Sequence, residues 1–525
     1  MVFLFQNISK FENKFENKQM PLLNSVITWI NYRRTFQIQF YRDHPIEIQN
    51  ETLFNLLNSA KNTLWGKKYD YANISSVEEF KKIVPLQDYD DIKTIVDRLR
   101  KGEKDLLWPG EVKWFAKSSG TTSDKSKFIP VTKEALEDCH LLGPRDVFSL
   151  YIRTYPETKV LKGKTITLGG SHQVNNFSNN SYYGDLSAII IENVPFWTDF
   201  LRTPSTEIAL IEEFEEKIDR IIDTTLDQNI TSFSGVPSWY LVLFKRVLEK
   251  TGKQNVLEIW PNIEVFFHGG VNFEPYREQY KKLFPSEQMH YVNTYNASEG
   301  FFAIQDNEDR DDMLLMLDYG IYYEFIPMTE WGKENPPVLT LEQIELDKNY
   351  AIVISTNAGL WRYIIGDTIK FTNKYPFKIK VTGRTKHFIN AFGEELIIEN
   401  AENAIQIACH HSHAIVDEYT AGPIFMGDNQ KGAHQWIIEF DVAPKDLDHF
   451  TRILDNSLKT LNSDYEAKRH KNLALEMPHI TSVPKGTFYN WMKMRGKIGA
   501  QNKIPRLAND RKYLDELMNM LDVKP

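Results

Sequence analysis

Residues 263–270 read IEVFFHGG, a run of apolar side chains that stops at two glycines. Such a run predicts a strand buried on both faces, as in a parallel sheet covered by helices. Residues 289–300, MHYVNTYNASEG, repeat the pattern and end in a polar turn. Helical patterns precede both runs, at 209–226 and 239–250. Strands that alternate with helices predict an α/β fold with a largely parallel sheet.

A third β-rich region, at residues 350–372, has a different pattern. It reads YAIVISTNAGLWRYIIGDTIKFT and splits into two runs around Asn357-Ala358-Gly359. Two β-rich runs joined by a short glycine-containing turn predict a hairpin. We therefore expect an antiparallel addition to the sheet.

The patterned segments divide the chain into two parts. Besides the segments described above, periodic patterns predict helices at 46–64, 76–99, 397–408 and 445–462 and strands at 164–170 and 435–441. We expect a large N-terminal domain, residues 1–385, with mixed or parallel sheets and flanking helices. A small α+β C-terminal domain then spans residues 386–525, joined by a compact hinge near 385–390.

Bulk composition excludes several classes of protein. The chain has 525 residues, more than one ordinary core holds, and 62 basic against 71 acidic residues give a net charge of −9. This balance argues against a nucleic-acid partner. The two cysteines, Cys139 and Cys409, lie far apart in sequence, which fits a reducing compartment. No apolar run is long enough to cross a bilayer, so we expect a cytoplasmic protein without a membrane partner.

Residues 117–128, KSSGTTSDKSKF, concentrate small polar side chains, one glycine and lysines. Glycine lets a backbone approach a phosphate closely, and hydroxyls and lysines add donors and charge. The same composition is typical of a solvated surface loop, so the stretch alone leaves both interpretations open. A P-loop requires a second glycine directly before Lys-Ser, and Asp124 occupies that position. A P-loop phosphotransferase is therefore disfavoured.

Two more segments place polar groups after predicted strands, the usual ligand position in open α/β sheets, and a third places Asp367 just after a glycine at a strand bend. HGG at 268–270 forms either a flat surface for a planar base or a plain turn. Tyr295 and Glu299 follow the second strand; the tyrosine can wall a base pocket, and the carboxylate can hold Mg²⁺ or cap the turn. Asp367, in RYIIGD, suits two ribose hydroxyls or turn amides.

Cationic residues lie near the later motifs. Arg362 has the geometry to bind a carboxylate or phosphate bidentately. The segment GKIGAQNKIPRL, residues 496–507, carries Lys497, Lys503 and Arg506 in a loop with glycine and proline. Such a loop either delivers a cation to a phosphate or is a solvated tail.

Taken in order, the segments SSGTTSDKSK, HGG, YNASE, RYIIGD, GRTKHFINAFGE and a C-terminal lysine resemble the adenylate-forming superfamily. That superfamily includes acyl-CoA synthetases, nonribosomal peptide adenylation domains and firefly luciferase. Within it, SSGTTSDKSKFIPVT and PKGTFYNWMKMRGKIGAQNKIPRL are most similar to the auxin-responsive acyl-acid amido synthetases of plants and their bacterial relatives. The resemblance covers approximately residues 80–510.

The resemblance implies an adenylate-forming fold and a two-step reaction that uses ATP and Mg²⁺. A carboxylic acid would attack the α-phosphorus to give an acyl-adenylate and pyrophosphate, and an amine, typically of an amino acid, would then displace AMP. The implied phosphate-binding residues are Ser118, Ser119, Gly120, Thr121, Thr122 and Lys127. The implied adenine-site residues are Gly269, Gly270 and Tyr295. Ser298 and Glu299 would lie near the α-phosphate and Mg²⁺, Asp367 and Arg384 near the ribose, and Lys503 would reach the phosphates during adenylation.

Other functions stay open at this stage. An acyl-CoA ligase would share the first half-reaction and use a thiol acceptor, and a non-catalytic nucleotide-binding protein would keep the fold alone. The acyl pocket is expected between the helix at 135–151 and the segment 171–177, with Arg145 or Arg153 facing a substrate carboxylate. We expect a small carboxylic acid and an amino acid as substrates.

Overall fold

The structure is a computed structural model that describes residues 34–119, 126–169, 175–178, 181–211, 213–270, 273, 276–385, 388–394, 396–427, 431–470, 475–495 and 504–522. Residues 34–43 are helical. The helices that follow are α1 (Pro45–Ala60), α2 (Leu64–Lys68), α3 (Val77–Ile83), α4 (Tyr89–Arg100), α5 (Lys133–Ala135), α6 (Leu142–Thr154), α7 (Leu186–Asn193), α8 (Thr206–Ala209), α9 (Phe214–Thr225), α10 (Pro237–Thr251), α11 (Arg277–Leu283), α12 (Ile398–Ser412), α13 (Leu447–Leu461), α14 (Ser463–Arg469), α15 (Thr487–Met494) and α16 (Lys512–Asp522). Across these ranges, none is both long and apolar enough to cross a membrane.

The strands are β1 (Trp114–Ser119), β2 (Ser126–Val131), β3 (Lys164–Thr167), β4 (Asn175–Ser178), β5 (Ser181–Gly184), β6 (Arg202–Thr203), β7 (Ile230–Gly235), β8 (Val265–Gly269), β9 (His290–Ala297), β10 (Gly300–Ile304), β11 (Met313–Leu315), β12 (Ile321–Pro327), β13 (Leu339–Thr340), β14 (Asn349–Thr356), β15 (Tyr363–Lys374), β16 (Phe377–Arg384), β17 (Phe388–Ile389), β18 (Leu396–Ile397), β19 (Ile415–Ile424), β20 (Ala433–Val442) and β21 (His479–Val483).

Twelve of the described strands form one mixed sheet, in the order β13-β12-β14-β15-β16-β11-β10-β9-β8-β7-β3-β6. From β9 to β6 every neighbouring pair is parallel. From β9 to β13 every pair is antiparallel. The predicted parallel strands at 263–270 and 289–300 are therefore confirmed, and the predicted antiparallel addition extends over more strands than the hairpin at 350–372.

The remaining strands form three smaller sheets within the described residues. The sheet β2-β1-β5-β4 contains both ends of the polar segment 117–128, on β1 and β2. The sheet β19-β20-β21 packs with α12 and α13 in the C-terminal part, and β17 pairs with β18. A large α/β part followed by a small α+β part confirms the expected fold class.

Two apolar clusters hold the large part together. One packs α1, α3 and α4 against the antiparallel strands through side chains such as Leu53, Phe80 and Tyr323. The other packs α9 and α10 against the parallel strands, and it continues into α12, α13 and β20 of the C-terminal part. Burial of this apolar surface is the main favourable term in folding, and here it also joins the two parts of the chain.

The predicted helix at 209–226 is interrupted. Residues 206–209 form α8, and α9 begins only at Phe214, where the Glu213 side chain accepts a hydrogen bond from the Glu216 amide. An acidic N-cap satisfies an amide that the first turn leaves unpaired. The apolar spacing was correct for α9, but it does not reveal where a helix starts.

Candidate active site

The carboxyl ends of the parallel strands define the candidate site. β8 ends at Gly269 and β9 ends at Ala297, on adjacent strands of the same direction. In open α/β sheets, ligands bind beyond the carboxyl ends of such strands. This edge holds the predicted residues from HGG and YNASE.

The structure brings three predicted site residues into direct contact. The Tyr295 hydroxyl donates to Asp367 Oδ2 at 2.7 Å, and Arg384 Nε donates to Asp367 Oδ1 at 2.8 Å. Asp367 and Arg384 are opposed residues on the antiparallel pair β15–β16. Tyr295 reaches them from β9, 72 residues earlier in the chain. The carboxylate is thus held by one donor on each oxygen.

Tyr295 is itself buried, with 8% of its surface exposed, and its ring lies 4.8 Å from that of Phe302. Burial, followed by the neighbouring Asp367 charge, raises the pKa of Tyr295 well above its usual value. The phenol therefore stays protonated and donates to the carboxylate. The sequence assigned Tyr295 to the wall of an adenine pocket, and contact with Asp367 is a second feature that the motif did not indicate.

Ser298 and Glu299 form the tight turn between β9 and β10. Ser298 is half-buried, and Glu299 is buried with 8% of its surface exposed. Burial raises the pKa of Tyr295 and of Tyr363 well above the usual value, and the Glu299 charge adds to both shifts. Glu299 lies in the polar turn that the sequence predicts after the second buried strand.

The two glycines of HGG expose backbone at this edge. A Cβ on Gly269 would lie 2.6 Å from the Thr294 carbonyl oxygen, so no side chain fits between β8 and β9 there. Gly270 has φ +80°, a left-handed conformation that favours glycine, and its carbonyl accepts from Asn390 Nδ2 at 3.4 Å. Neither glycine adds a side chain of its own here, and the Thr294 and Asn296 side chains lie beside Gly269.

The two ends of the polar segment 117–128 lie on the antiparallel strands β1 and β2. Ser118 on β1 pairs with Lys127 on β2. Lys127 is buried, with its Nζ 6.0 Å from the centroid of the Tyr89 ring. Ser119 is the last residue of β1. Four of the predicted site residues lie outside the described part of the chain: Gly120, Thr121, Thr122 and Lys503.

Arg362, proposed as a ligand-binding arginine, serves a different purpose. Its guanidinium donates to both oxygens of Glu324, at 2.9 and 3.0 Å, and to the carbonyls of Lys81 and Val84 at 2.8 Å each. Arg362 and Glu324 are almost fully buried. Arg362 therefore fastens the end of α3 to the sheet, and its binding capacity is used inside the protein.

Sequence reasoning missed two tyrosines near the site. Tyr363 is 1% exposed, and burial raises its pKa well above the usual value, with Glu299 and Tyr89 adding to the shift and Arg384 opposing it. The Tyr89 hydroxyl accepts a hydrogen bond from the Phe128 amide on β2. Tyr89 therefore contacts the β1–β2 hairpin that carries Lys127. The only sequence signal was the position of Tyr363 inside RYIIGD.

The predicted acyl pocket is described only on its helical side. α6 packs Phe148 and Tyr151 against Phe267 of β8, with ring centroids 4.9 and 5.5 Å apart. Arg145 is half exposed, with its Nε 4.0 Å from Asp146, and Arg153 is exposed. These observations assign neither arginine to a substrate carboxylate. Of the segment 171–177, residues 171–174 lie outside the described residues.

The C-terminal part meets this edge of the sheet. Trp239, near the start of α10, donates from Nε1 to the Phe392 carbonyl at 3.3 Å. The Lys468 Nζ of α14 lies 4.0 Å from the centroid of the same indole, a cation–π geometry. α14 also packs against β1, which leads into the polar turn. The C-terminal part therefore packs against α10 and β1 of the large part.

The donor set for a metal is small. Within the described ranges, no group of three or more His, Cys, Asp or Glu side chains could hold a metal ion. Mg²⁺ is commonly bound by one or two carboxylates together with substrate phosphates. A single buried carboxylate at Glu299 fits that kind of site and does not fit an all-protein metal cage.

Comparison with known proteins matches most of the chain. Models of the GH3 family match in three successive segments, the N-terminal domain at residues 35–289, the central domain at 314–384 and the C-terminal domain at 399–512. Indole-3-acetic acid-amido synthetase GH3.4 of Arabidopsis thaliana is 23% identical over 91% of this chain and 91% of its own length. Jasmonoyl–L-amino acid synthetase JAR6 of Nicotiana attenuata is 22% identical over 89% of this chain and 91% of its own length.

Solved structures share the fold. GH3.15 acyl acid amido synthetase aligns with a TM-score of 0.56 and 17% identity, covering 90% of this chain and 93% of its own. A 2-hydroxyisobutyryl-CoA ligase in complex with 2-HIB-AMP and CoA aligns with a TM-score of 0.53 and 12% identity, covering 94% and 93%. The expected adenylate-forming fold is confirmed by these alignments.

Proposed function

The chain belongs to the GH3 family, and on that premise we propose that it is an ATP-dependent acyl-acid amido synthetase. It would adenylate a small carboxylic acid and transfer the acyl group to an amine, most simply that of an amino acid. The observation that carries this proposal is the Asp367 carboxylate, held by Tyr295 and Arg384 at the edge that also carries Glu299 and the HGG backbone. A cytoplasmic location remains a prediction.

In the first step, a carboxylate oxygen of the acid forms a bond to the α-phosphorus of ATP, and the bond to pyrophosphate breaks. A free carboxylate is a poor acyl donor, and this step gives it AMP as a leaving group. Asp367 would accept the ribose hydroxyls, and Gly269 and Gly270 would present backbone to the adenine. Held in this way, the reacting atoms meet in a fixed orientation, which lowers the entropic cost of the step.

Ser118 and Lys127, together with Ser119, Gly120, Thr121 and Thr122, would bind the phosphates of ATP. Lys127 supplies a positive charge from the base of the hairpin, where Tyr89 faces it. Donors and cations that are already in place stabilise charge as it develops on the departing pyrophosphate. Glu299 and the ATP phosphates would hold Mg²⁺, which neutralises phosphate charge when bound.

In the second step, the amine nitrogen attacks the acyl carbon, the carbon–oxygen bond to AMP breaks, and the amine loses a proton. We propose that residues 1–385 form the domain that binds ATP and acid, and that residues 386–525 form a mobile domain. This domain would bring Lys503 to the phosphates for the first step and withdraw it for the second.

The proposal is tested by pyrophosphate release. Purified protein is incubated with ATP, Mg²⁺ and a panel of aryl, indolyl, phenoxyalkanoic, jasmonic and short hydroxy acids, and then with a mixture of amino acids or with coenzyme A. We expect pyrophosphate that depends on one class of acid, and an amide when amino acids are added. A thioester in place of an amide would assign an acyl-CoA ligase. Absence of acid-dependent pyrophosphate across the panel would reject both ligases.

The role of Lys503 gives a separate prediction. Lys503→Ala should reduce acid-dependent pyrophosphate formation by about 100-fold or more, because one cation at the phosphates is lost. Amide formation from a synthetic acyl-adenylate should change by less than about threefold, since that step does not use the lysine. The two rates are measured by pyrophosphate detection and by mass spectrometry of the amide. Equal losses in both steps would reject the assigned role.

A further inference from the structure

Tyr295 contacts Asp367 in a way that its proposed position beside the adenine does not require. Its hydroxyl lies 2.7 Å from Asp367 Oδ2, whereas stacking against a base needs only the ring. The ring is fixed by packing at 4.8 Å from Phe302, and 8% of Tyr295 is exposed. A buried, packed ring places its hydroxyl with little rotational freedom.

The hydrogen-bonding capacity of Asp367 is divided evenly. Arg384 Nε donates to Oδ1 at 2.8 Å, and the Tyr295 hydroxyl donates to Oδ2. A carboxylate has about four lone-pair sites, two on each oxygen. With one donor on each oxygen, each oxygen keeps capacity for one further donor. Two vicinal hydroxyls of a ribose present that pattern, one donor for each oxygen.

The two protein donors also fix the plane of the carboxylate. Arg384 approaches from the neighbouring strand β16, and Tyr295 approaches from β9. Without the tyrosine hydroxyl, only Arg384 would orient the group, and 20% of the Arg384 side chain is exposed. A carboxylate that can rotate loses part of the binding free energy that fixed partners provide.

We propose that Tyr295 is a positioning residue that sets recognition of the ribose by holding Asp367 through its hydroxyl. This inference rests on the ribose-binding role of Asp367 in the proposed function. It assigns to the hydroxyl, rather than to the ring alone, a share of the discrimination between ribonucleotides and deoxyribonucleotides.

The test is nucleotide binding, which does not require activity. Isothermal titration calorimetry compares AMP, 2′-deoxy-AMP and 3′-deoxy-AMP on the wild-type protein and on Tyr295→Phe. We expect Tyr295→Phe to weaken AMP binding by about 10-fold, the loss typical of a hydrogen bond to a charged group. Binding of 2′-deoxy-AMP and of 3′-deoxy-AMP, each of which lacks one of the two hydroxyls, should change by less than about threefold, so the preference for AMP falls.

Tyr291→Phe is the matched control. Tyr291 is on the same strand, β9, and its buried hydroxyl has no hydrogen-bond partner among the described residues. This variant should bind all three nucleotides as the wild-type protein does. In an Asp367→Ala background, Tyr295→Phe should have no further effect on AMP binding, because the residue through which it acts is absent.

The outcomes separate the two proposals. If Tyr295→Phe weakens AMP and both deoxynucleotides by the same factor, or leaves AMP binding unchanged, the positioning role is wrong while the proposed function stands. If the wild-type protein binds none of the three nucleotides, the proposed function itself is overturned.

Discussion

Two arginine–carboxylate pairs adjoin strand β15, and only one of them lies at the candidate site. Arg362 pairs with Glu324 at 2.9 Å, and their side chains are 5% and 1% exposed. Arg384 pairs with Asp367 at 2.8 Å, and their side chains are 20% and 9% exposed. The distances are almost equal, so ion-pair length does not separate a structural pair from a functional one.

The difference lies in how each pair is completed. Arg362 donates to Glu324 twice and to two carbonyls at the end of α3, so both members of the pair are satisfied by protein groups. Burial raises the pKa of Glu324, and the Arg362 guanidinium opposes that shift. Asp367 has one donor on each oxygen, and the Arg384–Asp367 pair is more exposed than the Arg362–Glu324 pair. Spare acceptor capacity and greater exposure therefore distinguish the pair at the candidate site.

The largest expected effect comes from breaking the buried pair. Glu324→Leu leaves the Arg362 guanidinium buried without its carboxylate, so the free energy of unfolding should fall by about 3–5 kcal/mol. Urea denaturation followed by circular dichroism measures this change. At low temperature, pyrophosphate formation per folded molecule should stay within about twofold of the wild-type protein.

The control for that variant is Glu345→Ala, which removes an exposed partner of Lys348. Its unfolding free energy should change by less than about 1 kcal/mol, because exposed ion pairs contribute little. If Glu324→Leu destabilised the protein no more than Glu345→Ala, the structural assignment of Arg362 would be wrong.

The next effect comes from breaking the site pair. Asp367→Ala should lower kcat/KM for ATP by about 100-fold, since it removes the acceptor of two hydroxyl hydrogen bonds. Its unfolding free energy should fall by much less than that of Glu324→Leu. Pyrophosphate release at varied ATP concentration gives the first quantity. Asp347→Ala, an exposed acid near β15, is the control and should retain full activity. If Asp367→Ala kept the wild-type kcat/KM for ATP, the assignment of Asp367 to the site would be wrong.

We expect acid to lower the stability of the fold through His140, a buried residue that is not among the candidate site residues. His140 is 2% exposed, and burial lowers its pKa to about 4 from an ordinary value of 6.5. Between those pH values the unfolded chain binds more protons, so stability falls as pH decreases. Between pH 6.5 and 5.0, the wild-type protein should lose about 2 kcal/mol of stability that the His140→Leu protein does not lose. Urea denaturation at both pH values measures the difference. An identical pH dependence in both proteins would contradict a buried neutral His140.

The smallest effect separates the two arginines directly. Arg384→Met should raise KM for ATP by about 5- to 10-fold, because Tyr295 still holds Asp367, and it should leave the unfolding free energy nearly unchanged. Arg362→Met should do the reverse, with reduced stability and an unchanged KM. Steady-state kinetics and urea denaturation on the same preparations give both quantities. If the two variants changed KM for ATP and the unfolding free energy in the same way, the different roles assigned to the two arginines would be wrong.

Much of the fold followed from local patterns. The buried strands β8 and β9 and the hairpin β14–β15 were predicted because long apolar runs end at glycines or polar turns. Strand β19 was missed, since its sequence mixes charges with Gly422-Pro423. There a Cβ on Gly422 would lie 2.8 Å from the Asp510 carbonyl oxygen, so the strand depends on the C-terminal chain packing against it.

The sequence indicated which residues belong to the candidate site, but it did not indicate which of them contact one another. The order of the motifs indicated Tyr295, Asp367 and Arg384, because each lies within a motif that resembles one of the superfamily. It did not show that Tyr295 bonds to Asp367, since the two lie on β9 and β15, which are not neighbours in the sheet. Nor did it separate Arg362 from Arg384, because the partner that occupies Arg362 is Glu324 on another strand.

The most direct test of the central claim follows one oxygen atom. An acid from the reactive class, labelled with ¹⁸O in its carboxylate, is converted with ATP and an amino acid, and the products are analysed by mass spectrometry. Attack on the α-phosphorus predicts that one ¹⁸O atom appears in AMP for each amide formed. Label in orthophosphate, with ADP as the nucleotide product, would show an acyl-phosphate route and would contradict the account.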